Sequence, residues 1–196
     1  MIKTKKELKE VVKLEKELWI RRNYPTNRPK HVISKELLFV SALRHVEYYS
    51  HKSRIKKVGG YYWKVVFKLL STVFNVMIPI NVFGKGLLIQ HLQNIVISAE
   101  TKVGDYCCLF HGVTLGIAIG KNDRGKCPVL GNGVTICTGV GIFGDVEIAD
   151  GITIAANAIV TKSFNEQNVI IGGIPAKIIS KEVGWSMLEF KNNLNN

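Results

Sequence analysis

Between residues 130 and 160 an apolar side chain recurs every six positions, and few folds can satisfy such a pattern. Leu130, Ile136, Ile142, Ile148, Ile154 and Val160 form one series. Val134, Val140, Val146, Ile152 and Ala158 form a second, offset by four. Gly131, Gly133, Gly139, Gly141, Gly144, Gly151 and Ala155 stand between them. Neither the period of a helix nor that of a plain strand sustains a repeat of six. A hexapeptide repeat marks a parallel β-helix, in which each unit is a short strand and a bend. No unit can bury its own aliphatic residues, so the units coil and stack. Ile97, Val103, Leu109 and Leu115 carry the same spacing upstream, separated from the later repeats by a loop. An ordinary sandwich of short strands would not give two apolar series in phase over five units. The expected fold class is mainly β: a parallel β-helix of hexapeptide repeats with a small N-terminal α-helical region.

Ahead of the repeats the pattern is helical. Thr4 and Glu7 have capping-box spacing before a stripe of Leu8, Val11, Val12, Leu14, Leu18 and Trp19, which predicts a helix over 4–22. Pro25 and Pro29 punctuate a break. Ser34 opens a second helix over roughly 35–49, with Leu37, Leu38, Val40, Leu43 and Val46 on its apolar side. His45 and His51 on or near it read as packing or surface residues. After Gly59-Gly60, residues 61–76 are aromatic, aliphatic and basic. They suit a helix packed on the coil or an amphipathic stretch touching a membrane. Pro79 stops any helix. The organisation expected is a basic helical region over 1–78, a coil over 79–180 and a tail over 181–196.

The chain has 196 residues, and its charge is lopsided. Residues 1–70 hold 18 Lys/Arg against 6 Asp/Glu, whereas the remaining residues hold 9 of each. A solvated helical face, a nucleic acid, an anionic membrane or a polyanionic substrate could each account for the excess. Nucleic acid is disfavoured, because no recognised binding motif accompanies the charge. No apolar run is long enough to span a bilayer, and the charged N-terminus has no signal-peptide core. Cys107, Cys108, Cys127 and Cys137 include no CxxC pair, so free thiols and a cytoplasmic setting are expected.

Candidate chemistry gathers in 84–128. His91 stands where a polar interruption (Leu92-Gln93-Asn94) breaks the strand pattern. An imidazole projecting from the regular wall there can take a proton from a bound hydroxyl. His111 follows 20 residues later, and turns built from three hexapeptides would set the two histidines on adjacent turns. The Gly-rich, basic loop from Gly120 to Pro128 interrupts the repeat. Its Lys121, Arg124 and Lys126 could meet phosphates or polar groups of an acceptor, or simply solvent.

His91, the run Ile95-Val96-Ile97-Ser98-Ala99-Glu100-Thr101, the run Gly112-Val113-Thr114-Leu115-Gly116, the hexapeptides and Gly172-Gly173-Ile174-Pro175-Ala176-Lys177 together resemble serine acetyltransferases. More broadly they resemble the hexapeptide acyltransferases. The resemblance runs from about Gly84 to Lys181. It implies a left-handed coil, a homotrimer and acetyl-CoA held in a cleft between neighbouring coils. His91 matches the family's general base and Glu100 its acidic Gly-Glu-Thr residue. Thr138, Gly139, Ala156, Asn157 and the segment containing Pro175 and Lys177 fall where the family lines its CoA cleft. Lys162 and Lys177 could meet CoA phosphates. Gln90, His111, Arg124 and Lys126 are the candidate acceptor contacts.

The chain departs from the family at three places. Val76-Met77-Ile78-Pro79 keeps only the proline of an Asp-x-His-Pro segment. Gln90 replaces an Asp, and Lys126-Cys127-Pro128 replaces Arg-His-Pro. The missing groups would orient the histidine and grip a charged amino acid. The expected function is therefore acetyl-CoA-dependent O-acetyl transfer, with a sugar hydroxyl of a surface glycan or its precursor as acceptor. The Cys-Pro loop resembles the capsule and exopolysaccharide branch. The basic region would suit a sugar linked to a nucleotide or lipid diphosphate at the inner membrane face. L-serine is the alternative acceptor. From other classes, a carbonic anhydrase-like metal trimer needs about three histidines on neighbouring coils, and the repeats carry only His91 and His111. A non-catalytic scaffold is the remaining alternative. No metal is expected.

Overall fold

The structure is a computed structural model describing residues 2–24, 34–52, 58–118 and 125–181. Among the described residues three α-helices lead: α1 (Lys5–Asn23), α2 (Lys35–Ser50) and, after a 3-10 turn, α3 (Tyr61–Val73). The Thr4–Glu7 capping box forms as the spacing predicts, and Ser34 caps α2 through the Glu36 and Leu37 amides. α3 ends at Val73, ahead of Pro79, where Asn75 takes a positive φ of 52°.

Among the described residues fourteen short strands follow: β1 (Val76–Met77), β2 (Leu88–Ile89), β3 (Ile95–Ile97), β4 (Lys102–Val103), β5 (Cys108–Leu109), β6 (Thr114–Gly116), β7 (Val129–Leu130), β8 (Thr135–Ile136), β9 (Gly141–Phe143), β10 (Glu147–Ile148), β11 (Thr153–Ile154), β12 (Ile159–Val160), β13 (Ile170–Gly173) and β14 (Ala176–Ser180). They form a five-stranded sheet (β1-β3-β6-β9-β12), a three-stranded sheet (β4-β7-β10) and a six-stranded sheet (β2-β5-β8-β11-β13-β14). Every pairing is parallel except the closing β13–β14 hairpin. Leu130 pairs with Ile148, Ile136 with Ile154 and Ile142 with Val160, so each turn takes 18 residues, or three hexapeptides. Across the loop Val103 pairs with Leu130 and Leu109 with Ile136, 27 residues apart, so the inserted loop is bulged out of one turn without disturbing the stack. Pairing begins at Val76, slightly ahead of the expected start of the coil at 79.

Both apolar series point inward: all eleven side chains are buried. Each contributes to one continuous core because stacked turns superimpose the same position of successive repeats. An open solenoid end would leave such a core wet, and both ends are covered. Phe39, Val40 and Leu43 of α2 join the core over the first turn, and Ala176 of the hairpin joins it at the last. α1 lies on the outer face of the six-stranded sheet, where Leu18 is fully buried against Leu88, Tyr106 and Cys108.

One buried ionic cluster fastens helices to coil. The Arg44 guanidinium pairs with Glu15 of α1 (2.7 Å) and Glu47 of its own helix (2.9 Å). It also donates to the carbonyls of Phe83 (3.1 Å) and Gly84. Glu15 accepts from the Leu87 amide (3.1 Å) and Glu47 from the Asn81 amide (2.8 Å). Burial lowers the pKa of Arg44, but the two carboxylates more than offset this and raise it overall. Burial raises the pKa of Glu15, with Arg44 pulling the other way.

α3 packs on the coil, the first of the two expectations. The Phe67 ring lies tilted against Phe39 (5.2 Å between centroids), and with Leu70 it packs on the core. On its other side Tyr61, Tyr62, Val65, Leu69 and Val73 are exposed. No described helix is long and apolar enough to cross a membrane. All four cysteines are free thiols. The expected tail lies outside the described residues from 182 onward.

Candidate active site

The coil has three edges, and the candidate residues fall on two of them. The first edge joins the six-stranded to the five-stranded sheet. Continuing the pairings Ile89–Leu109, Leu109–Ile136 and Ile136–Ile154 by two residues stacks His91, His111, Thr138 and Ala156 in one column. Gly139 and Asn157 occupy the next position of their turns. The amides of Gly139 and Asn157 donate to the carbonyls of His111 (3.1 Å) and Thr138 (2.8 Å), locking the corners together. At turn spacings of about 4.8 Å the column runs for roughly 14 Å. Pro175 lies just beyond its end in the β13–β14 hairpin, after a cis Ile174–Pro175 bond, and Lys177 sits opposite Gly172.

Corner residues on this edge take the left-handed region of backbone space. His91 (φ 61°), Gly139 (φ 71°) and Asn157 (φ 59°) all adopt positive φ. At Gly139 a Cβ would stand 2.3 Å from Asn157 Oδ1, so glycine is required there for two reasons. For a non-glycine residue such as His91 the conformation is strained and must be held by its surroundings. One holder is visible: the amide of the next residue, Leu92, donates to Glu36 Oε1 (3.3 Å), while Glu36 Oε2 accepts from Ser34 Oγ (2.5 Å). Glu36 therefore ties the His91 corner to the first turn of α2. The sequence shows Glu36 only as part of a helix start. Its second partner lies 56 residues away and leaves no local pattern.

The His91 ring is exposed and stands edge-on to His111, with centroids 5.7 Å apart, and Phe110 flanks it at 6.5 Å. Adjacent-turn placement of the two histidines thus follows the sequence spacing. Gln90 Nε2 and His111 Nδ1, beside His91 on this edge, are buried without a hydrogen-bond partner. Leaving a buried polar group unpaired costs about 1–3 kcal/mol, so this edge carries hydrogen-bonding capacity that is unused in the isolated chain.

The second edge joins the five-stranded to the three-stranded sheet. Glu100 is exposed there, in the turn between β3 and β4, so β3 separates it from His91. The inserted loop leaves from the same edge. Lys126 forms an ion pair with Asp145 on the following turn. Lys162, past the far end of β12, also belongs to this edge and lies over the Phe164 ring (5.5 Å). Lys121 and Arg124 lie outside the described residues. One chain therefore brings together His91, His111, Thr138, Gly139, Ala156, Asn157, Gln90 and the Pro175–Lys177 hairpin. It does not bring Glu100, Lys126 or Lys162 to them. Among the described residues no group of three or more His, Cys, Asp or Glu side chains could hold a metal ion.

A scan against models of known protein families matches none of them. Individual relatives are clear. Serine acetyltransferase of Buchnera aphidicola is 30% identical over 154 residues, which are 78% of this chain and 58% of that protein. Serine acetyltransferase 4 of Arabidopsis thaliana is 33% identical over 152 residues, 73% of this chain and 42% of that one. The chain spans about half the length of the relatives it matches. Among solved structures, serine acetyltransferase of Brucella abortus in complex with coenzyme A superimposes with a TM-score of 0.73 at 27% identity. That superposition covers 92% of this chain and 70% of the other.

Proposed function

We propose that the chain is an acetyl-CoA-dependent O-acetyltransferase whose reaction takes place at the histidine edge. The observation that carries this reading is the exposed His91 imidazole at the head of a column of small and polar corner residues, with unpaired Gln90 and His111 beside it. The similarity to serine acetyltransferases, one of them bound to coenzyme A, supports the donor. The His91 imidazole accepts the proton of the acceptor hydroxyl as its oxygen attacks the thioester carbonyl. The new C–O bond forms, the C–S bond breaks, and the proton passes from the imidazolium to the departing CoA sulfur. Thr138, Gly139, Ala156, Asn157, Pro175 and Lys177 lie along the stretch of edge where the long arm of CoA would run.

A left-handed coil and a homotrimer belong to the same proposal. Glu100, Lys126 and Lys162 stand on the other side of the five-stranded sheet from His91, so one chain holds two half-sites. A neighbouring protomer that set its second edge against the first would join them.

The relatives' names favour L-serine as the acceptor over the sugar expected from sequence. A glycan acceptor remains a second reading because Gln90 offers an amide, not a carboxylate, beside His91, and a sugar has no ammonium to neutralise. The test is mass-spectrometric analysis of products from acetyl-CoA with L-serine or with a panel of sugars. O-acetylserine establishes the first acceptor, and acetylated sugar without O-acetylserine establishes the second. No acetylated product from any hydroxyl compound would count against the proposal.

A further inference from the structure

A groove runs between α1 and the α2–α3 pair, and none of the histidine-edge residues lines it. Its cavity of about 720 Å³ is lined by Lys5, Lys9, Lys13 and Lys16 on α1, with Lys52, His45, Tyr48, Tyr49 and Trp63 among the residues opposite. A volume of this order suits a small ligand. At 100° per residue the four α1 lysines fall within an arc of about 80°. Among the described residues no carboxylate lines the groove. Of the four, Lys13 alone among the described residues has an acidic partner, Glu17 at 3.8 Å on the exposed side. Like charges on successive turns of one helix repel, and a bound anion would relieve that repulsion. The opposite wall is aromatic. Trp63 stacks on His45 (3.9 Å between centroids), whose Nδ1 is engaged with the Ser41 carbonyl (2.7 Å). Burial lowers the pKa of His45. The wall therefore supplies flat rings while the lysines supply the charge.

We infer that this groove binds a nucleoside diphosphate or its ester, with the diphosphate against the α1 lysines and the base on the aromatic wall. Lysine ammonium groups act as point charges toward phosphate, and ring faces accept any base by stacking. A purely electrostatic membrane contact would not need three aromatic side chains along an open groove. The assignment stands apart from acetyl transfer, since it involves none of the histidine-edge residues.

The experiment is calorimetric titration of the full chain with uridine diphosphate, and with inorganic pyrophosphate and phosphatidylglycerol vesicles as separate arms. Saturable binding of uridine diphosphate is expected. Pyrophosphate should bind about tenfold more weakly for want of stacking. The triple variant Lys5→Gln, Lys9→Gln, Lys13→Gln, which preserves helix propensity, should weaken uridine diphosphate by at least about tenfold. Trp63→Leu should weaken uridine diphosphate but not pyrophosphate. Acetyl-CoA binding should be unchanged in the triple variant, which separates this groove from the donor site. Absence of saturable uridine diphosphate binding would overturn the inference, as would binding to vesicles alone. Equal affinity of wild type and triple variant, or joint loss of acetyl-CoA binding, would also overturn it.

Discussion

Arg44 shows how much can hang on one side chain. Its guanidinium serves two carboxylates and two backbone carbonyls in a buried site, so it joins both helices to the entrance of the coil. Replacing it by Met would leave Glu15 and Glu47 buried without their counter-charge. Removing one partner of such a cluster costs about 3–5 kcal/mol, which urea denaturation would read as a lowered midpoint. The cysteines give a prediction of a different kind. Burial pushes the Cys107 thiol up to about 12 and raises Cys108 as well. The thiolate is the reactive form, so near pH 8 Cys107 stays protonated, and the chain covers it besides. Native protein should therefore resist iodoacetamide at both positions, and unfolding should release them. Cys137 is half-buried next to Thr138, and its thiol is also raised by burial. It should react slowly, and acetyl-CoA should protect it if the donor lies along that edge. Peptide mass mapping distinguishes the three sites.

At the scale of elements, the strands are legible because period six is a collective property of the sequence. Each inward position from Leu130 to Val160 is fixed by its neighbours one turn above and below, so local ambiguity is averaged away. The caps of α1 and α2 are equally local, each closed within three residues. What the sequence hides is how helices meet the coil. The Glu15–Arg44–Glu47 cluster and the Glu36–Leu92 tie connect residues 29 to 72 positions apart, and no short-range spacing announces them. Under the proposed mechanism the second of these bears on the rate. Glu36→Ala should release the strained His91 corner and lower the acetyl-transfer rate several-fold without changing the KM for acetyl-CoA. Glu36→Gln keeps an acceptor oxygen and should restore most of the rate. A change in melting temperature with no change in rate would assign Glu36 a purely structural role.

For the whole molecule, the sequence offers candidate site residues but not their distribution. His91 and Glu100 are nine positions apart, which reads as proximity, yet the coil sends them to different edges of the five-stranded sheet. Met77, Val96 and Ile117, on or beside this sheet, are exposed apolar residues, available for a neighbouring protomer to cover. If protomers join the half-sites as proposed, light scattering should give a mass near three times the 21.9 kDa chain. An inactive His91→Ala chain and an inactive Glu100→Gln chain should then recover activity when assembled together. An active monomer would contradict the joined half-sites. The most direct test of acetyl transfer at the histidine edge is the turnover of His91→Ala against wild type, with acetyl-CoA saturating and product read by mass spectrometry. The expected fall is about 10²–10⁴-fold, the usual weight of a general base, with acetyl-CoA affinity and thermal stability retained. Turnover equal to wild type would contradict a general-base role for His91, because the hydroxyl proton would then be leaving without its imidazole.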